Sequence, residues 1–104
     1  MALREIGPID LDVSSVTDGF LSPEGQFSIQ PIPNHGICGN PTWSLEVSNS
    51  KDENSFKLYS DDVSGLTMDD CVQSDDVRFP WKYFRISIIS NVGDSGSVIF
   101  NVYH

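Results

Sequence analysis

Two histidines and two cysteines are the residues of this chain best suited to metal or nucleophilic chemistry. His35 and Cys38 form an H-x-x-C pair, and Cys71 can supply a third soft ligand, with an Asp from 69–76 completing a zinc set. That spacing matches no zinc motif, and the competing reading is a turn histidine beside two small buried thiols. Three adjacent acidic pairs, Asp61-Asp62, Asp69-Asp70 and Asp75-Asp76, raise calcium as a second option. Calcium takes about six to eight oxygens, usually from alternating positions around a glycine turn. Adjacent side chains diverge in extended chain, so a solvated acidic loop explains these pairs better. No G-x-S-x-G or phosphate-loop signature is present, neither cysteine has an obvious base, and no carboxylate pair stands out as acid and base. The expectation is no enzyme, no metal and no cofactor.

Composition sets the wider bounds. With 104 residues the chain suits one domain with one core. An apolar share of 38% and an aromatic share of 11% fit a folded protein rather than a disordered one. No apolar run approaches the ~20 residues of a membrane helix, and MALREIGPIDLD lacks the apolar centre of a secretory leader. Fifteen acidic against six basic residues give a net charge of −9, which repels phosphate backbones and anionic membranes at long range. Neither nucleic acid nor membrane is an expected partner. Two cysteines do not make a disulfide framework; they either close one long loop or, as the absence of a leader favours, remain reduced.

The elements that must position any site read as strands. Thr42–Ser48 alternates cleanly, with Trp43, Leu45 and Val47 inward and Ser44, Glu46 and Ser48 outward. Phe27, Ile29 and Ile32 form an earlier run that Pro31 and Pro33 end, and Phe56–Tyr59 restarts a short strand after the polar turn at 49–54. Segment 60–76 holds six Asp and no Lys or Arg, and reads as a long loop with a short strand near Leu66–Met68. Trp81–Ser90 alternates Phe84, Ile86 and Ile88 against Tyr83, Arg85 and Ser87. The turn at 91–96 then leads into Ser97–Tyr103, so the chain is expected to end in a hairpin with Tyr83 and Tyr103 side by side on its outer face. Segment 1–25 is rich in Gly and Pro and reads as an extended N-terminal arm followed by a first strand around Leu11–Val13. With no amphipathic helical period anywhere, the fold class is all-β: one antiparallel β-sandwich of about six to eight short strands over 26–104, preceded by the arm.

The stretch from Thr42 onward resembles a small β-sandwich domain of tailed-phage virion proteins. In that family a strand of the type G-T-L-x-L-x-x-S-N-D-G-x-x-W is followed by a variable loop, then Y-K-Y-V-R-V, a Gly/Ser turn and a last strand. The matching residues are Trp43, Leu45, Val47, Ser48, Asn49 and Phe56. They continue with Trp81-Lys82-Tyr83-Phe84-Arg85-Ile86, Gly93-Asp94-Ser95-Gly96-Ser97, and Val98, Phe100 and Val102. In such a strand Arg85 can stretch over a ring or pair with an acid such as Glu46 across the sheet. The sequence departs from the family pattern in its acidic 60–76 loop and in the Pro-, His- and Cys-bearing segment 31–41.

The resemblance implies a virion structural protein, and a single small domain is most similar to capsid decoration (cement) proteins. It implies the major capsid protein as partner, location on the capsid surface, and assembly as a dimer or trimer. The residues expected to make partner contacts are Leu3, Arg4, Glu5, Ile6, Ile9 and Leu11 of the arm, with Tyr83 and Tyr103. A second reading, from a different class, is a host-glycan-binding or tail and baseplate adhesion module. It would use an exposed ring among Tyr59, Trp81, Tyr83 and Tyr103, with Trp43 assigned to the core.

Overall fold

The computed structural model describes residues 3–23, 25–74 and 80–104. They form an all-β sandwich of two antiparallel sheets, with strands β1 (Leu3–Asp10), β2 (Ser15–Val16), β3 (Phe20–Leu21), β4 (Phe27–Cys38), β5 (Thr42–Ser48), β6 (Lys57–Leu58), β7 (Val72–Ser74), β8 (Tyr83–Ile89) and β9 (Ser95–Tyr103). One sheet has the order β1-β9-β4-β7. The other has the order β2-β8-β5-β6, with β3 also pairing with β8. The alternation at 42–48 corresponds to β5, and the described strands exceed the expected number because β2, β3 and β6 are two-residue pieces.

Three expectations are corrected. The arm is a strand of the fold: β1 pairs with β9 from Leu3↔Tyr103 to Asp10↔Ser97, with a bulge between Ile6 and Ile9. Leu11–Val13, expected as the first strand, lies just beyond its end. Ile6 and Leu11 are what bring this segment in, because both side chains are buried in the core. Leu11 also carries the chain from one sheet to the other: its N–H donates to Gly96 O at 2.9 Å and its carbonyl accepts from Ser90 Oγ at 2.6 Å.

Second, β4 runs through Pro31 and Pro33 to Cys38. Its ladder to β9 continues past both prolines, while β7 reaches only Phe27–Ile29 on the other side. Beyond Ile29 no described strand pairs on that second side, where a missing N–H breaks no ladder and discourages pairing with a foreign strand.

Third, β8 and β9 do not form a hairpin. β8 lies between β2 and β5 in one sheet, and β9 lies between β1 and β4 in the other. The physical reason is the position of their apolar stripes. Phe84, Ile86 and Ile88 face Val98, Phe100 and Val102 across the core, which two strands of one hairpin cannot do. Tyr83 and Tyr103 therefore lie on different sheets. Between the sheets, Trp43 meets Phe100 edge-on with centroids 4.9 Å apart. The Trp43 indole N–H donates to Thr67 O at 3.0 Å, so the buried ring leaves no polar atom unpaired.

The crossing from β8 to β9 is held by Asp94. Its buried carboxylate accepts from Asn91 N at 2.7 Å and from Asn40 N at 2.8 Å, tying this turn to the β4–β5 turn. Gly39 permits the approach: it has φ +81°, and a Cβ there would lie 2.0 Å from Asp94 Oδ1. Replacing Asp94 with Ala removes two charge-assisted hydrogen bonds and should lower unfolding free energy by about 2–4 kcal/mol in urea titration. Gly39→Ala should cost at least as much, and stability unchanged in both variants would remove the clamp from this account.

Candidate functional site

The expected contact residues divide by where their strands put them. Ile6 and Leu11 are core residues, and Ile9 packs against the core from its margin. These three serve the fold and cannot lead a contact. Arg4 donates from Nη1 to Leu21 O at 3.2 Å, linking the β1 edge of one sheet to β3 of the other. Leu3, Glu5 and Tyr103 are exposed together. Leu3 stands opposite Tyr103 in register, and Glu5 stands opposite Asn101. Leu3 is 57% exposed and Tyr103 46%, so this apolar and aromatic pair sits on the outward face of the four-stranded sheet.

Tyr83 belongs to a different constellation at one end of the five-stranded sheet. Ser48↔Tyr83 and Val47↔Lys57 are paired positions, so the register brings the end of β5, the start of β8 and the loop from 49 to 56 together. Asn49 Oδ1 accepts from Lys82 N at 3.1 Å and fastens that loop to the strand start. Lys57 Nζ then sits 4.5 Å from the Trp81 ring centroid. Lys51 Nζ and Lys82 Nζ lie 5.7 and 5.5 Å from the Tyr83 centroid. At exposed sites each such contact contributes about 0.5–1 kcal/mol.

Arg85, the fourth cation of this region, takes up both roles open to it. Its Nε donates to Glu46 Oε1 at 2.6 Å, and its guanidinium lies 4.5 Å from the Phe56 centroid. Nη1 donates to Glu53 O at 3.2 Å, so the group is fixed on three sides. Glu46 and Arg85 are directly opposed in the ladder, which is why an ion pair forms with little side-chain searching. Four of the chain's six basic residues thus gather here in a protein of net charge −9. The lysines escaped the sequence reading because Lys51 and Lys57 lie in and after a polar turn. Only the β5–β8 register places them beside Trp81-Lys82-Tyr83.

A cleft lies at the opposite end of β5, roughly 20 Å away at about 3.3 Å per strand residue. Its volume is about 360 Å³ and its lining includes Pro33, Ile37, Pro41, Met68 and Asp69. The thiols do not assemble a metal set: Cys38 and Cys71 are free and exposed, against the expectation of burial. Among the described residues no group of three or more His, Cys, Asp or Glu is placed to hold a metal ion. Asp61, Asp62, Asp69 and Asp70 are exposed, and Asp70 Oδ2 accepts from Thr67 N at 2.9 Å within its own turn. Asp75 and Asp76 lie outside the described residues.

No protein-family model, curated protein or solved structure matches this chain.

A double-mutant cycle on Arg85→Ala and Glu46→Ala should give a coupling of about 1 kcal/mol, at the upper end for ion pairs because both side chains are mostly covered. The coupling should shrink only modestly at 0.5 M salt. Zero coupling would mean that the Phe56 contact, rather than Glu46, holds the guanidinium.

Proposed function

We propose that this chain is a non-enzymatic structural protein of a tailed-phage particle that decorates the capsid by binding the major capsid protein. The observation that carries the proposal is the Leu3–Tyr103 pair on the outward face of the four-stranded sheet. Both side chains are large and exposed and neither serves the core, as suits a surface that another protein covers. Glu5 beside them adds a charged rim.

The mode of attachment differs from an extended arm. Because β1 is built into the sheet, its contribution is a rigid face already ordered before binding. Less conformational entropy is then lost on docking than when a flexible segment must fold onto its partner. Cementing follows from area: each copy seated where capsid subunits meet adds buried surface that resists their separation under the pressure of packaged DNA. Dimeric or trimeric assembly is part of the same proposal, since symmetric sites on a capsid favour symmetric ligands.

Immunogold labelling of intact particles carrying the chain should place label densely over the head. Purified protein should co-sediment with capsids that lack it, and Leu3→Asp with Tyr103→Ser should weaken that binding at least tenfold while leaving the circular dichroism spectrum unchanged. Label confined to the tail, or undiminished binding by the double variant, would overturn the reading.

A further inference from the structure

The four-stranded face leaves the lysine and aromatic cluster of the other sheet unexplained. We propose that Trp81 and Tyr83, with Lys51, Lys57 and Lys82, form a binding site for an anionic polysaccharide.

The argument begins with charge. In a chain of net charge −9, three exposed ammonium groups standing at one end of a sheet are a local exception. The acids nearest in sequence are partly engaged elsewhere. Glu46 is paired with Arg85, and Asp52 Oδ1 accepts from Asn54 N at 3.2 Å in its own turn, which leaves Glu53, Asp61 and Asp62 as the other acids within five residues of these lysines.

The rings give the ligand its class. Trp81 packs against the core from the margin and remains half-buried, with Lys57 Nζ 4.5 Å from its centroid. Tyr83 is half-buried too, with Lys51 and Lys82 each within 6 Å of its centroid. A pyranose presents a flat face of C–H groups, which suits the electron-rich face of an aromatic ring. The ammonium of Lys57 stands over the Trp81 face, so a sugar stacking there moves it aside to the rim, where a uronic acid carries the carboxylate it then pairs with. An acidic peptide would use the lysines and leave the rings idle. Nucleic acid could stack on the rings, but its closely spaced phosphates meet a strongly negative protein with the three lysines of this site to offset them.

Spacing supports a chain ligand over a single sugar. Trp81 lies two residues before Tyr83, the first residue of β8, so the two rings stand one after the other where the chain enters that strand. Adjacent sugar units of an extended polysaccharide can therefore address the two rings in turn. The site does not rest on the capsid proposal. It lies on the sheet opposite Leu3 and Tyr103, so a copy docked through that pair would present it outward.

The chain is its own reporter, because it has two tryptophans and Trp43 is fully buried in the core. Titration with polygalacturonate at low ionic strength should give a saturable change in Trp81 emission, with binding confirmed by calorimetry. Neutral dextran should give none. Lys57→Gln with Lys82→Gln, both at exposed positions, should weaken binding at least tenfold, as should 0.3 M salt. No saturable binding of polygalacturonate by either method would overturn the proposal, as would equal binding by the double variant or by dextran. Polyglutamate or oligothymidylate binding as tightly as polygalacturonate would overturn the saccharide assignment in favour of a general polyanion surface.

Discussion

The constraint on which this structure depends is the passage of the chain from β8 to β9. These two strands carry the strongest apolar stripes, and they are consecutive, yet each must face the other across the core rather than lie beside it. The turn between them therefore spans the thickness between sheets, about 10 Å. Asp94 makes that span definite by holding the backbone N–H groups of Asn91 and Asn40 with one carboxylate. The partners of both strands then follow. β9 takes β1 and β4, β8 takes β2, β3 and β5, and Leu11 carries the chain across the sandwich near Gly96 and Ser90.

Local alternation made most strands legible in the sequence, and it does so for a physical reason. A half-buried antiparallel strand must present apolar residues at period two, so Thr42–Ser48 and Tyr83–Ile89 declare both their extent and their inward face. Alternation says nothing about which sheet a strand joins. Phe84, Ile86 and Ile88 would alternate in the same way in a hairpin or in a crossing pair, and the turn residues Asn91 and Gly93 suit both. The side-by-side placement of Tyr83 and Tyr103 rested on the hairpin alone and fell with it.

The N-terminal segment shows a complementary failure of local reading. Gly7 and Pro8 interrupt the pattern of β1, and the bulge between Ile6 and Ile9 shifts its phase, so no clean period survives over Leu3–Asp10. What secures the strand is long-range: six residues paired with β9 on either side of the bulge, the buried Ile6, and the buried Leu11 just past the strand's end. Glycine is needed at position 7 itself, where φ is +123° and a Cβ would lie 2.8 Å from Val98 O. Composition suggested an extended arm, whereas each of these features marks a bulged strand in close contact with its neighbour. Arg85 is the opposite case, because a strand ladder makes Glu46 its direct neighbour, so its pairing could be anticipated from alternation and strand order.

Charge placement connects the two proposed surfaces. A net charge of −9 makes copies of the protein repel one another at long range, so any contact, with another copy or another macromolecule, has to be made where that repulsion is locally relieved. The two proposed surfaces are such places, on opposite sheets. Around Leu3 and Tyr103 relief comes from apolar surface, whose burial does not depend on the sign of the partner's charge. Around Trp81 and Tyr83 it comes from lysines held near aromatic rings, which keeps the cations beside the ring faces instead of drawn toward the surrounding carboxylates. A sandwich has two outward faces and one core, so residues chosen for either face leave the packing between Trp43 and Phe100 untouched. The two proposed surfaces can therefore meet different partners at once, the apolar one docked and the cationic one turned toward solvent.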